Sequence, residues 1–369
     1  MSAYATEKRL RYLADANDKV SLAVKQTLES STTEWAKSLK QVSHSLHSLN
    51  DKMRHTSQST RIINEELADF SVELLNDASF GGLLSCFTQD HELARAESVE
   101  GNSSKQIGPT NEGFKRWQVL SNSKEFRHGL YEQYLTLDDF PLSSVIRVDI
   151  PRTFPSVEPF SDPESGIHKC LENILHAYSL HDPIVGYVQG MNILCGFLLL
   201  RSPKYSDEVS TFWLFCRMLQ SAKYGLRRLF LPGMERLLVL AYQLDHLVAL
   251  CLPRINEHFR RLNVKTLVWF TPWALTLFAC NMPHSMLSKV WDRFFQNGLV
   301  ALLSTTIGIL SCAEQRLLLH NHEECLTCLK KTIWDEVVDI NQIFAVADGI
   351  GLSQRDCDRL EVEYFVRNQ

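Results

Sequence analysis

Two short stretches of the chain hold most of the side chains that could do chemistry. The first, Val145 to Pro155, reads VIRVDIPRTFP and places a carboxylate, Asp149, three residues before a guanidinium, Arg152, with Pro151 and Pro155 on either side. The second, His181 to Asn192, reads HDPIVGYVQGMN and sets a phenol, Tyr187, two residues before a carboxamide, Gln189, with Gly186 and Gly190 framing the pair. A guanidinium is planar, permanently charged and forked to meet phosphate or carboxylate oxygens. A carboxamide can accept from a water while donating to another oxygen. Taken singly, each pair is commonplace. Asp and Arg at i, i+3 is the spacing of a surface ion pair of small energetic worth, and a glutamine before glycine usually marks a loop or a helix end. His181 and Asp182 before Pro183 read as the cap of a starting helix.

Several chemistries are excluded. The chain has no GxxxxGK[ST] loop, so if it acts on a nucleotide a partner must hold that nucleotide. HExxH and GxSxG are also missing. The net charge of −5 gives no basic footprint for nucleic acid. Ten cysteines run from Cys86 to Cys357, many inside apolar runs, and the opening MSAYATEKRL lacks a signal-peptide core. These thiols read as reduced core residues of a cytoplasmic protein. Cys325 and Cys328 form the only CxxC, and the string His320 to Cys325, HNHEEC, matches no standard zinc spacing. Helix surface is the better reading there; a metalloenzyme using His320, His322 and Cys325 is the outlying alternative. No apolar run reaches the roughly 18 residues of a membrane span. The nearest, Leu267 to Cys280, contains Pro272 and reads as a buried helix with a break, and Leu299 to Leu310 as a buried helix.

The elements that must position these residues are helices. Apolar residues recur at helical spacing over Ile167 to Leu180, Val209 to Leu219, Met234 to Leu250, Met286 to Phe295 and Cys325 to Ile343, and prolines fall mostly between these segments. Phe212, Trp213, Phe270, Trp273 and Trp291 belong to a core. An all-α domain follows, over residues 114–345, with a C-terminal helical tail at 346–369. Upstream, the first glycine is Gly81 and the first proline Pro109. Trp35, Leu39, Val42, Leu46, Leu49 and Met53 keep a heptad phase that passes a polar gap at Thr56 and Thr60 and resumes at Ile63, Leu67, Phe70 and Leu74. Residues 1–97 therefore read as a helical region with a coiled coil at about 28–75, either self-associating or pairing with a partner, or else folding back as an amphipathic helix. Residues 98–113 are polar and glycine-containing and read as a linker.

The two chemical stretches together resemble the signatures of TBC domains. Those carry an IxxDxxR motif followed by T-F-P, met here by Ile146, Asp149, Arg152, Thr153, Phe154 and Pro155. They then carry a YxQ motif followed by G-M-N, met by Tyr187, Gln189, Gly190, Met191 and Asn192. The intervening helical stretch, residues 153–186, has the family's spacing, and Lys289 to Phe295, KVWDRFF, is a further landmark. The resemblance covers roughly residues 114–345. It implies a GTPase-activating protein for a Rab-family small GTPase in vesicle trafficking, an activator rather than an enzyme with its own substrate turnover. Arg152 would be an arginine finger and Gln189 a glutamine finger, both supplied in trans. An arginine finger is worth roughly 10³ to 10⁵ in rate, or about 4 to 7 kcal/mol of barrier. Ile146, Asp149, Thr153, Phe154, Tyr187, Gly190 and Asn192 would support the fingers, with Asp149 placed to hold the guanidinium or the local backbone and Ile146 facing the core. GTP and Mg²⁺ would belong to the partner, leaving this chain no cofactor of its own and only peripheral recruitment to endomembranes. One departure stands out. The family opens with a glycine-isoleucine-proline segment and an R-x-x-V-W pattern, and Phe114 to Leu135 offers only Trp117 and Arg127 as loose echoes. That departure keeps a second reading open, a catalytically inactive TBC scaffold tethering a complex through its coiled coil.

Overall fold

The computed structural model describes residues 111–367, apart from 126–128, 138–141, 204–206, 336 and 338. The expected coiled coil at 28–75 and Arg127 lie outside the described residues. Every regular element described is helical. In chain order they are α1 (Asn111–Ser121), α2 (Leu130–Leu135), α3 (Ser143–Asp149), α4 (Ile167–His181), α5 (Met191–Arg201), α6 (Glu208–Gln220), α7 (Glu235–Cys251) and α8 (Pro253–Leu262). There follow α9 (Thr266–Thr276), α10 (His284–Asn297), α11 (Leu299–Cys312), α12 (Glu314–Leu317), α13 (His322–Thr327), α14 (Ile340–Ile350) and α15 (Gln354–Arg367). None is long and apolar enough to cross a membrane.

Two helices are apolar nearly all round, and such helices can only sit inside. Every residue of α5, MNILCGFLLLR, is buried; α4, α6, α9 and α1 pack around it. The second, α11, is covered by α10, α7 and α14. Gly308 lets α14 lie directly on it: a Cβ there would stand 2.4 Å from the Ile343 carbonyl oxygen. Phe212, Trp213, Phe270, Trp273 and Trp291 are all buried, as their spacing implies.

The divergent opening segment is anchored through α1, where Phe114 and Trp117 are buried. Trp117 stacks on Phe295 with ring centroids 5.2 Å apart and lies 5.6 Å from Trp291. Its indole N–H donates to Asp292 at 2.7 Å, and Arg116 pairs with the other oxygen of that carboxylate at 2.6 Å. Burying a side chain of this size is worth about 1.5–3 kcal/mol, so α1 is a full partner of α10.

Three expectations are corrected. Pro272 sits inside α9 without breaking it; the break follows Thr276, where Leu277 and Phe278 take positive φ. Cys325 to Ile343 is not one helix. After α13 the chain widens into a π turn at Cys328–Thr332, tightens at Ile333–Asp335, and restarts at α14, where the Asp339 carboxylate accepts from the Asn341 N–H. An Asp that caps a new first turn in this way ends the element before it. The boundary drawn at 345/346 falls inside α14, and the helical segment beyond it packs on the domain. Cys357 and Leu360 are buried, and Gln243 donates to the Cys357 carbonyl at 2.7 Å. Glu361 sits between Arg228, at 2.9 Å, and the buried Arg236.

Candidate functional site

Arg152 is delivered by a change of helix type. In α3, Ile146 and Asp149 face the interior. Pro151 then has no N–H to continue the α ladder, and Ile150–Arg152 close as a single 3-10 turn, with the Thr153 N–H donating to the Ile150 carbonyl at 3.1 Å. Thr153 is fully buried and its hydroxyl donates back to the Asp149 carbonyl at 2.8 Å. Phe154 follows with φ of 49°, a conformation costly for a bulky L-residue. Its ring is held against Phe160 and, edge-on at 5.2 Å, against His284. Gly196 on α5 makes room for this loop, since a Cβ there would meet Thr153 Cγ2 at 2.7 Å and Phe154 Cε2 at 3.2 Å.

Gln189 comes from the connection between α4 and α5. His181 and Asp182 stand at the end of α4 rather than at the start of a helix, which corrects the capping expectation. Buried Asp182 accepts from Arg227 Nε at 2.5 Å, Arg227 Nη2 at 2.9 Å, Tyr178 Oη at 3.2 Å and the Val185 N–H at 3.5 Å. Burial pushes its carboxyl up, but these donors, Arg227 foremost, hold it below the usual carboxylate range. Gly186 turns the chain at φ of 63° where a Cβ would strike Leu142 Cδ1 at 2.7 Å, so the turn lies against the start of α3. Gly190, at φ of 103°, opens α5.

The two segments meet at Asp149, which is 2% exposed. One of its oxygens accepts from Arg152 Nη2 and the other from the Tyr187 hydroxyl. Burial first, and the Asp149 charge second, raise the Tyr187 pKa far above the ordinary tyrosine value, so the hydroxyl remains a donor. Asn192 completes the join. Its amide donates to Thr153 Oγ1 at 2.8 Å and to the Asp149 carbonyl at 3.5 Å, while its oxygen accepts from the Gly190 N–H at 3.1 Å.

Two buried donors of this cluster stand apart. Arg152 Nε and Gln189 Nε2 are buried donors with no hydrogen-bond partner among the described residues. The Arg152 side chain as a whole is 29% exposed, and Gln189 is half-buried. Unpaired buried donors are uncommon and cost roughly 1–3 kcal/mol each. Both sit on the two residues at which the chain's two chemical stretches present a guanidinium and a carboxamide.

Sequence reasoning placed Ile146, Asp149, Arg152, Thr153, Phe154, Tyr187, Gln189, Gly190 and Asn192 in one site, and the structure brings their two segments together. It missed Gly196 and Arg227. A glycine inside the apolar run ILCGF is the signal that could have flagged the first; nothing local marks Arg227, which lies 45 residues from Asp182.

Among the described residues no group of three or more His, Cys, Asp or Glu side chains gathers around HNHEEC to hold a metal ion. Asn321 and Glu324 make a capping box for α13, His322 Nδ1 pairs with the Leu262 carbonyl at 2.9 Å, and Cys325 is buried.

The profile of the Rab-GTPase-TBC domain matches residues 113–318. The Rab GTPase-activating protein eat-17 of Caenorhabditis elegans is 33% identical over 253 residues, 68% of this chain and 28% of that protein. The GTPase-activating protein GYP5 of Saccharomyces cerevisiae is 30% identical over 258 residues, 70% of this chain and 27% of that protein. The chain thus spans less than a third of the length of either relative. Among solved structures, the TBC domain of a Chlamydomonas flagellar RabGAP superposes with a TM-score of 0.57 at 23% identity, covering 73% of this chain and 95% of that one. The Ypt/Rab-GAP domain of Gyp1p gives 0.50 at 17% identity, over 69% and 81%.

Proposed function

The chain belongs to the Rab-GTPase-TBC domain family, and on that premise we propose that it activates GTP hydrolysis on a Rab-family GTPase with Arg152 and Gln189 as its two fingers. The observation that carries this reading is the pair of unspent donors. Arg152 Nε and Gln189 Nε2 lack partners while Asp149, Tyr187, Thr153 and Asn192 satisfy one another around them. GTP hydrolysis on a small GTPase is slow because charge spreads over the transferring phosphoryl group without enough compensation. A guanidinium from outside supplies that compensation, and it needs donors free at the moment of docking. A carboxamide with a free N–H can donate to a phosphate oxygen while its carbonyl accepts from the attacking water and orients it.

Asp149 and Tyr187 are positioning residues in this scheme. The carboxylate restrains Arg152 through one nitrogen, Nη2, while the buried Nε stays unpaired, and the Tyr187 hydroxyl fixes the carboxylate in turn. Restraint of this kind lowers the entropy lost when the guanidinium is fixed against phosphate. GTP and Mg²⁺ are carried by the partner. The scaffold alternative drew on the divergent opening segment, but Trp117 of that segment is buried on α10 and hydrogen-bonded to Asp292. The activator reading is therefore the better supported.

Single-turnover hydrolysis across a panel of GTP-loaded Rabs tests it. At least one Rab should be accelerated, and Arg152→Ala or Gln189→Ala should remove most of that acceleration. Hydrolysis should persist on a Rab whose own switch glutamine is replaced by leucine. Binding without acceleration of any Rab would establish the scaffold instead.

A further inference from the structure

Most large apolar side chains of this domain are buried, yet three exposed ones lie on the two segments that form the site. Val145 is 49% exposed, Val148 62% and Ile184 56%. Single exposed valines are ordinary on protein surfaces; their placement here is what calls for an explanation. Val145 and Val148 are spaced i, i+3 and share one face of α3, which the 3-10 turn carrying Arg152 follows directly. Ile146 and Asp149 of the same helix are buried instead. Ile184 sits in the α4–α5 turn, two residues before Gly186, the residue that rests against Leu142 at the head of α3. Exposed Arg147 pairs with Glu172 at 2.8 Å and gives the apolar strip a charged flank.

Resting on the activator reading, we propose that Val145 and Val148, flanked by Ile184, form an apolar docking stripe for the GTPase, one that sets how tightly the GTPase is held rather than how fast its GTP is cleaved. Continuity dictates the occupant. Val148 lies about one helical turn, roughly 5–6 Å along the axis, from Arg152. Whatever surface surrounds a nucleotide engaged by Arg152 must therefore press on Val148 as well. Small apolar centres ringed by polar groups are the usual anatomy of such contacts. The partner chemistry required is an apolar patch on the GTPase beside its nucleotide pocket.

The test separates binding from chemistry. Single-turnover hydrolysis is followed against activator concentration for the wild type, Val148→Asp, Val145→Asp/Val148→Asp, and Leu319→Asp as a remote control at 84% exposure. Binding to the same Rab carrying a non-hydrolysable GTP analogue is measured in parallel. Val148→Asp should raise the half-saturating concentration and the dissociation constant roughly tenfold, leave the maximal rate within about twofold, and melt like the wild type; Leu319→Asp should change neither. Unchanged binding in both aspartate variants, or a fall in maximal rate at unchanged half-saturation, overturns the stripe. Wild-type binding without acceleration sinks the finger reading alone, and a loss of binding in Val148→Asp would then still support the stripe. A wild type that binds no Rab overturns both.

Discussion

Asn192 donates to the Thr153 hydroxyl across 2.8 Å, a bond that, with those to Asp149, joins the segment bearing Arg152 to the segment bearing Gln189. The same carboxamide accepts from the Gly190 N–H at 3.1 Å, immediately after Gln189 in the chain. Asn192 thus shares with Asp149 and Tyr187 the setting of one candidate finger against the other.

Asn192→Leu keeps the branched shape of the side chain but removes all three of its bonds. It leaves the Gly190 N–H without its acceptor, at a cost of roughly 1–3 kcal/mol. Thermal melting should register that loss. Activation should fall further than stability explains, by tenfold or more in the maximal rate, because a displacement of about 1 Å at the reacting groups is enough to do so. A variant that melts early but activates at the wild-type rate once folded would show that the join does not set the fingers.

Gly196→Ala adds a single methyl where Thr153 Cγ2 and Phe154 Cε2 already stand at 2.7 and 3.2 Å. Overpacking of this sort costs about 1–3 kcal/mol, and the loop after Arg152 must move to relieve it. Lower melting temperature together with weaker activation is expected. Gly349→Ala in α14 is the matched control, since nothing lies within 4 Å of the added methyl and φ is not positive. It should stabilise by about 0.5–1 kcal/mol and leave activation alone.

Arg227→Ala strips the buried Asp182 carboxylate of its charge partner. Breaking a buried pair costs about 3–5 kcal/mol, toward the lower end here because the Arg227 side chain is partly in water. The pH dependence has a definite sign. Asp182 is held below its usual range when folded, so its contribution is present above the ordinary carboxylate value near 4 and is lost as pH falls through the folded value. The melting-temperature gap between wild type and Arg227→Ala should be wide at pH 7 and narrow steadily below about pH 4. A gap that stays constant into acid would rule out this pair as its source.

Much of this was legible in the sequence. The spans of α4, α6, α7 and α10 follow from apolar spacing to within a residue or two, because each buries one face and that face leaves a periodic trace. The stretch from Cys325 to Ile343 deceived the same reasoning. Cys328, Leu329, Ile333, Trp334 and Val337 are all buried, so the pattern runs on through a π turn, a 3-10 turn and a restart, with only Asp339 to signal the interruption. At the site, Asp149 and Arg152 were readable because they are three residues apart. The bond from Tyr187 to Asp149 spans 38 residues and the contact of Gly196 with Thr153 spans 43. Links of that length come from how helices pack, which no local spacing encodes. His181 and Asp182 misled for a related reason, since a helix end and a helix start both favour a short polar residue before proline.

The last two helices bear on how this protein can be handled at the bench. The family profile ends at residue 318, and a recombinant fragment cut there would lose α14 and α15 together. That cut would lay the Gly308 side of α11 open to solvent, leave Gln243 without its carbonyl acceptor, and strand the Arg236 guanidinium in a site built to neutralise it. Purified material trimmed to the profile would be prone to clump for reasons unrelated to GTPases, and silence in an assay of such a fragment would say nothing about Arg152.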